Sequence, residues 1–264
     1  MEGFQQIGER DTGAARGGGL LELASIPLLL LVWQGLAMLL AQRLFPTPIM
    51  VAAQIWDFAT TGRLFADLGK TLLRASIAFV LAMLIGTAIG IVLGRVRWLD
   101  RLFSGWLLVG LNLPAIVVAI VLYIWLGLTE TALILAVTLN KIPLVAATIR
   151  EGVRSFAPDL DELGAVFRLT RRRRLRLILL PQLTPFVLAA ARTGLSLIWK
   201  IVLVFEVLGS DGGIGYRIAI MFQFFNIAGI LAYTASFILV VLAFEYGILR
   251  PLERRILRWR PVRP

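Results

Sequence analysis

Long apolar runs separated by arginine-rich connections limit this chain more than any other feature. Stretches near residues 24–45, 71–94, 106–128, 131–149, 182–208 and 227–249 reach or approach the roughly 20 apolar residues that a helix needs to cross a bilayer core. Inside lipid, a spanning segment must satisfy its own backbone N–H and C=O groups, which helices of this length do. The chain is therefore expected to be an all-α polytopic membrane protein of about six transmembrane helices. Hydrophobic residues make up 59% of its 264 positions, too many for a domain dissolved in water.

The formal net charge of +11 does not point to nucleic acid, because the arginines lie between or after the apolar runs and form no single basic face. With no cysteine and no histidine, the sequence offers no disulfides, no thiolate or imidazole metal ligands, no Ser-His-Asp triad and no cysteine nucleophile. No nucleophile and base pair suggests a membrane-embedded enzyme, and neither a metal site nor a bound cofactor is expected.

Arg10 and Arg16 precede the first apolar run as they would in a signal peptide. That run is longer than a signal's apolar region and lacks a small-residue cleavage site, so it reads as a retained span. The glycine-rich start predicts a flexible tail over residues 1–23, ahead of a permeation domain at 24–249 and a basic tail at 250–264.

Orientation follows from the arginine bias. One set of connections holds Arg10 and Arg16, then Arg95, Arg97 and Arg101, then Arg150, Arg154, Arg168, Arg171 to Arg174 and Arg176. Arg250, Arg254, Arg255, Arg258, Arg260 and Arg263 complete it. The opposite set keeps Arg63, Lys70 and Arg217, with Arg43 and Arg74 near its edges. Both termini are thus expected in the cytoplasm, with residues 150–181 as the largest cytoplasmic loop. The four arginines at 171–174 also suit anionic lipid.

Topology alone does not explain that loop. Pro158 followed by Asp159, Asp161 and Glu162 predicts a helix start, and Leu160, Leu163, Val166 and Phe167 form a short apolar stripe. A second short helix is expected from Thr170 as N-cap, with Leu175, Ile178 and Leu179 on its apolar side. Two amphipathic helices outside the membrane call for a partner, lipid or protein.

The same loop resembles the motif of bacterial ABC importer permeases, E-A-A-x3-G-x9-I-x-L-P, with Glu162, Ile178, Leu180 and Pro181 in register. Leu180 to Ile218 and the tail from Pro251 to Arg260 are similar to the sulfonate, taurine, nitrate and bicarbonate branch of that family. The resemblance implies a type I importer permease fold in the inner membrane and two paired copies, most simply identical. It also implies ABC ATPase subunits that use ATP on a separate chain, and a periplasmic or lipid-anchored solute-binding protein. It further implies that Glu162, Leu163, Gly164, Ala165, Phe167, Arg168, Ile178, Leu180 and Pro181 form the ATPase-coupling loop. Leu163 and Gly164 stand where the motif has alanines, and Arg168 stands where it has the glycine that turns one helix into the next. A side chain in the left-handed region costs roughly 1 to 2 kcal/mol.

Polar residues inside spans are expensive in lipid and become the pathway candidates: Asn112, Asn140, Lys141, Lys200 and Glu206. An unpaired charge such as Lys141 costs at least about 2.5 to 3.5 kcal/mol at mid-membrane. Glu206 is one conceivable partner for it, and a water-filled path that attracts an anionic solute is the other way to offset the cost. The stretches LNLPAI and LNKIPL are expected to break their helices at Pro114 and Pro143. GRLFADLGKT, residues 62–71, looks like a phosphate loop but has Leu64 where the first glycine is needed. SDGGIGYRI, residues 210–218, reads as a tight outer turn that could also meet a delivered binding protein. A secondary transporter or channel without an ATPase is the alternative reading; it leaves the four motif positions without a purpose.

Overall fold

The computed structural model describes residues 14–40, 44–156 and 166–256. Among these every regular element is helical. In chain order they are α1 (Ala14–Leu40), α2 (Pro48–Thr60), α3 (Arg63–Arg95), α4 (Arg97–Asn112), α5 (Ala115–Leu126) and α6 (Glu130–Arg154). Then come α7 (Arg171–Arg174), α8 (Leu180–Leu208), α9 (Ile214–Gln223), α10 (Ile227–Phe244) and α11 (Arg250–Ile256).

Among the described residues four helical stretches are long and apolar enough to cross a membrane: Arg63–Arg95, Glu130–Arg154, Arg172–Leu208 and Ile227–Glu253. α4 and α5 qualify only together and are bent by 94°. Leu113 before Pro114 is pushed to extended backbone, and the ring removes a helical N–H, so the LNLPAI break forms as expected. The LNKIPL break does not form. α6 runs unbroken through Pro143, because neighbours packed along both sides hold it and one missing hydrogen bond is not enough to part the turns. The first expected span is also shorter than its sequence run, with an apolar stretch of Pro27–Leu40 in α1. α1 itself begins at Ala14, so helical backbone reaches into the segment expected as a tail; residues 1–13 lie outside the described part.

The centre of the bundle is the parallel pair α3 and α6. Ala82, Gly86, Gly90 and Gly94 repeat every four residues along one face of α3, which lets the backbones approach. A Cβ on Gly90 would lie 2.7 Å from the Ala146 carbonyl oxygen, and one on Gly86 would lie 2.6 Å from Val145 Cβ. Larger residues there would part the two helices. Around this pair, Leu68, Ala75, Leu133, Val137, Ile198, Val202, Phe205 and Tyr233 build a core toward one end. Val145, Ile149, Val153, Leu183 and Ala190 build another toward the Arg-rich end. Leucine and isoleucine on the outer faces stay exposed, as a lipid-facing surface requires.

The second short helix expected after Thr170 is not a separate element. The Thr170 hydroxyl does accept from the Arg173 N–H at 3.4 Å. From there α7 continues through a π-turn, Leu175–Leu179, directly into α8. A second π-turn, Glu245–Leu249, joins α10 to α11. Each π-turn is followed two residues on by a proline, Pro181 or Pro251. The proline ring crowds the carbonyl four residues back and offers no N–H, and the wider turn relieves both conflicts. The first short helix would fall within residues 157–165, outside the described residues.

Arg168 has φ 45°, inside the left-handed region. The glycine of the motif is replaced while its turn is kept. Arg168→Gly is accordingly expected to leave ATPase association unchanged and to raise stability by at most about 1 to 2 kcal/mol. Thermal unfolding and co-purification of the two forms check this. A weakened complex would mean that the guanidinium itself makes a contact.

Candidate functional site

At the Arg-poor end of the bundle a set of charged side chains is enclosed between helices. α3 places Asp67, Thr71 and Arg74 on one face at helical spacing, all buried. Glu206 reaches them from the last turn of α8, Glu130 from the first residue of α6, and Asp211 with Gly212 from the connection to α9.

Arg74 is 3% exposed and its five N–H donors meet five acceptors. Nη1 donates to Glu206 Oε1 at 2.7 Å and to the Gly212 carbonyl at 2.6 Å. Nε donates to Glu130 Oε2 at 2.6 Å, while Nη2 donates to Glu130 Oε1 and to Asp211 Oδ1. A planar fork satisfies this arrangement where a lysine ammonium would leave acceptors empty. Glu206, 1% exposed, also accepts from the Thr71 hydroxyl at 2.9 Å and the Gly215 N–H at 2.9 Å.

The start of α9 is held by the same group. Its N–H groups at Gly213, Ile214 and Gly215 are accepted by Asp67, Thr71 and Glu206 respectively. Acceptors on α3 and α8 thus satisfy the open N-terminus of another helix and place negative charge at its positive end. Asp67 also accepts from Arg217 Nε at 2.8 Å and from the Tyr233 hydroxyl at 3.1 Å, which adds α10 to the clasp. The Asp67 hydrogen bond holds the Arg217 guanidinium above its ordinary pKa range. The glycines of SDGGIGYRI serve this packing. Gly213 has φ 98°, and a Cβ there would lie 2.6 Å from the Glu206 carboxyl carbon.

This group changes the standing of two motifs. Glu206, expected as a pathway candidate, is locked to Arg74 and does not pair with Lys141. Glu206 and Glu130 grip the same arginine, and Lys141 lies eleven residues further along α6, about 16 Å away. The phosphate-loop lookalike is also spent here. Its residues 63–71 are helical, with Asp67 and Thr71 in the clasp and Lys70 3.7 Å from Asp211. Sequence reasoning missed Asp67, Thr71, Arg74, Glu130, Asp211 and Tyr233, although the spacing of the three polar residues on α3 was a visible signal.

The remaining candidates are dispersed. Lys200 is exposed on α8 with Arg192, Thr193 and Ser196 along the same face. They line a groove of ≈ 470 Å³ with Trp199, Phe237 and Glu245. Arg192 reaches Glu253 at 3.4 Å, whereas Lys200 has no partner among the described residues. Lys141 is 6% exposed and likewise unpaired among them. Asn112 is exposed at the α4 break, where its Nδ2 donates to the Leu108 carbonyl at 2.8 Å, and Asn140 is half-buried.

Of the coupling-loop residues, Glu162, Leu163, Gly164 and Ala165 lie outside the described residues. Phe167 is 70% exposed beside the Arg168 turn, with Val166 also exposed. Ile178 and Pro181 are half-buried and Leu180 is exposed, while Leu179 turns into the core.

The profile of a family described as binding-protein-dependent transport system inner membrane component matches residues 82–258. The SsuC permease protein of Bacillus subtilis (strain 168), named for transport of aliphatic sulfonates, is 28% identical over 251 residues, covering 94% of this chain and 90% of that one. The nitrate import permease protein NrtB of Synechococcus elongatus is 27% identical over 203 residues, 73% of each chain. Among solved structures, an inward-facing form of the MetNI methionine ABC transporter superposes with a TM-score of 0.63 at 18% identity, over 75% of this chain and 98% of that one.

Proposed function

The chain belongs to the family of binding-protein-dependent transport system inner membrane components, and from that premise we propose that two copies form one pathway for a small anionic solute. It is the membrane permease of an ABC uptake system. The ATPase subunits dock at the Arg-rich end, on the loop containing Glu162 and Phe167, and the solute-binding protein delivers at the clasp end. That orientation puts both termini in the cytoplasm, in keeping with the arginine bias of the connections. ATP acts on the separate ATPase chain.

The observation that carries the pathway is the polar face of α8. Arg192, Thr193, Ser196 and Lys200 are exposed on a helix that crosses the membrane. Such a face is too costly for lipid and belongs against a water-filled passage or a second copy. Lys200, with no acid paired to it among the described residues, supplies positive charge toward that passage. The two relatives named for sulfonates and nitrate support an anion as cargo. Lys141 is the second cation proposed to favour anions, deeper in the bundle.

Lys200→Met keeps length and removes charge. In vesicles containing the complete transporter it is expected to lower uptake about tenfold, the scale of one charge-assisted contact, while ATP hydrolysis continues. Unchanged uptake rejects the pathway along α8. Lys141→Met in the same assay separates the two lysines, because retained uptake would place Lys141 among packing side chains instead.

A further inference from the structure

At the Arg-rich end, where α3, α4 and α6 meet, two adjoining hollows have opposite chemistry. The first is a polar cavity of ≈ 590 Å³ lined by Arg95, Arg97, Asp100, Arg101 and Arg154. The second is an apolar groove of ≈ 490 Å³ lined by Ile89 and Val92 of α3, Phe103 and Trp106 of α4, and Pro143 and Ala146 of α6. Leu93 lines both, so the two lie side by side along α3.

Charge in the polar cavity is not balanced from within. Asp100, its one acid, already accepts from Arg154 and from Arg150 at 3.3 Å. Arg95, Arg97 and Arg101 have no ion pair among the described residues. Three guanidinium groups lining one cavity offer donors in the planar fork geometry that suits a phosphate.

The groove identifies which anion. On α6 the groove is lined from Ile142 to Ala146 and the polar cavity by Val153 and Arg154, so the two hollows together follow twelve residues of that helix, or about 18 Å. That is close to half of the roughly 40 Å that a bilayer spans with its headgroups, the reach of one leaflet. Trp98 is exposed at the start of α4 beside Arg97, where an indole ring suits the boundary between headgroups and hydrocarbon. A free phosphate would satisfy the arginines and leave the groove empty. An amphiphile fills both.

We propose that this pair of hollows binds one anionic phospholipid from the leaflet at the Arg-rich end, with its phosphate among Arg95, Arg97 and Arg101 and an acyl chain along the groove. Basic pockets between membrane helices recognise such headgroups by charge, and the chain adds apolar burial. The bound lipid bridges α3, α4 and α6 just before the bent α4 and α5 pair. The inference needs only the membrane reading, not the proposed cargo.

The test titrates the delipidated, purified transporter with dioleoylphosphatidylglycerol and counts bound lipid by native mass spectrometry. Dioleoylphosphatidylcholine and glycerol 3-phosphate are the comparison probes. One phosphatidylglycerol should be retained per chain, about tenfold more tightly than phosphatidylcholine, with no competition from glycerol 3-phosphate. Arg97→Gln/Arg101→Gln should lose that preference, Arg97→Lys/Arg101→Lys should keep most of it, and Val92→Trp should weaken retention by blocking the groove. Equal retention of the two lipids, or full preference in the glutamine variant, overturns the site. Competition by glycerol 3-phosphate would assign the cavity to a free anion and reject the lipid. Loss of ATPase subunits from the glutamine variant with lipid retention unchanged would assign it to a protein partner.

Discussion

Arg74→Met is expected to cost about 3 to 5 kcal/mol of stability, because it leaves the Glu206 carboxylate buried without its cation. Thr71 and the Gly215 N–H would still donate to that carboxylate but supply no positive charge. The loss should appear as a lower unfolding temperature of the purified chain and as less folded protein in the membrane. Arg74→Lys should recover only part of it, since one ammonium cannot serve Glu130, Glu206, Asp211 and the Gly212 carbonyl together. Arg74→Met/Glu206→Gln should be less damaging than Arg74→Met alone, because removing both charges removes the uncompensated one. An unfolding temperature unchanged in Arg74→Met would show that the clasp contributes nothing to the fold.

Glu162→Ala should abolish uptake while the permease remains in the membrane in normal amount. Contacts of this kind, buried or charge-assisted at an interface, cost about 2 to 5 kcal/mol when one partner is removed. Val166 and Phe167, exposed beside the left-handed turn, are apolar residues of the same proposed docking loop. Co-purification of the ATPase subunits should therefore fall in Glu162→Ala, and also in Phe167→Ala, with the chain's own unfolding temperature unmoved. Normal uptake by Glu162→Ala would end the assignment of this loop to ATPase coupling.

The two variants probe ends of the bundle that differ in how they are built. At the Arg-rich end, the pattern is local. Glu162, Ile178, Leu180 and Pro181 lie within twenty positions, and the turn at Arg168 is visible from the motif even with arginine in place of glycine. At the clasp end, contacts join residues far apart in the chain. Arg74 meets Glu206 across 132 positions and Glu130 across 56, and Arg217 meets Asp67 across 150. For Glu206 the partner considered from the sequence is Lys141 of the preceding span, which instead lies further along α6 while Arg74 holds the carboxylate.

Neighbours along one chain segment suffice for the all-helical spanning class, the break at Pro114, the helix start at Thr170 and the arginine asymmetry between ends. Apolar run length, proline sterics and local charge act over a few turns, so they can be read without knowing what packs against what. Which charges pair, that Pro143 leaves α6 intact, and that a basic cavity lies beside an apolar groove follow from packing between helices. Those outcomes depend on close approach of separate helices, here set by the glycine face of α3 against α6. Electrostatic pairing and hydrogen bonding act over a few ångströms in space, and distance along the chain does not measure that.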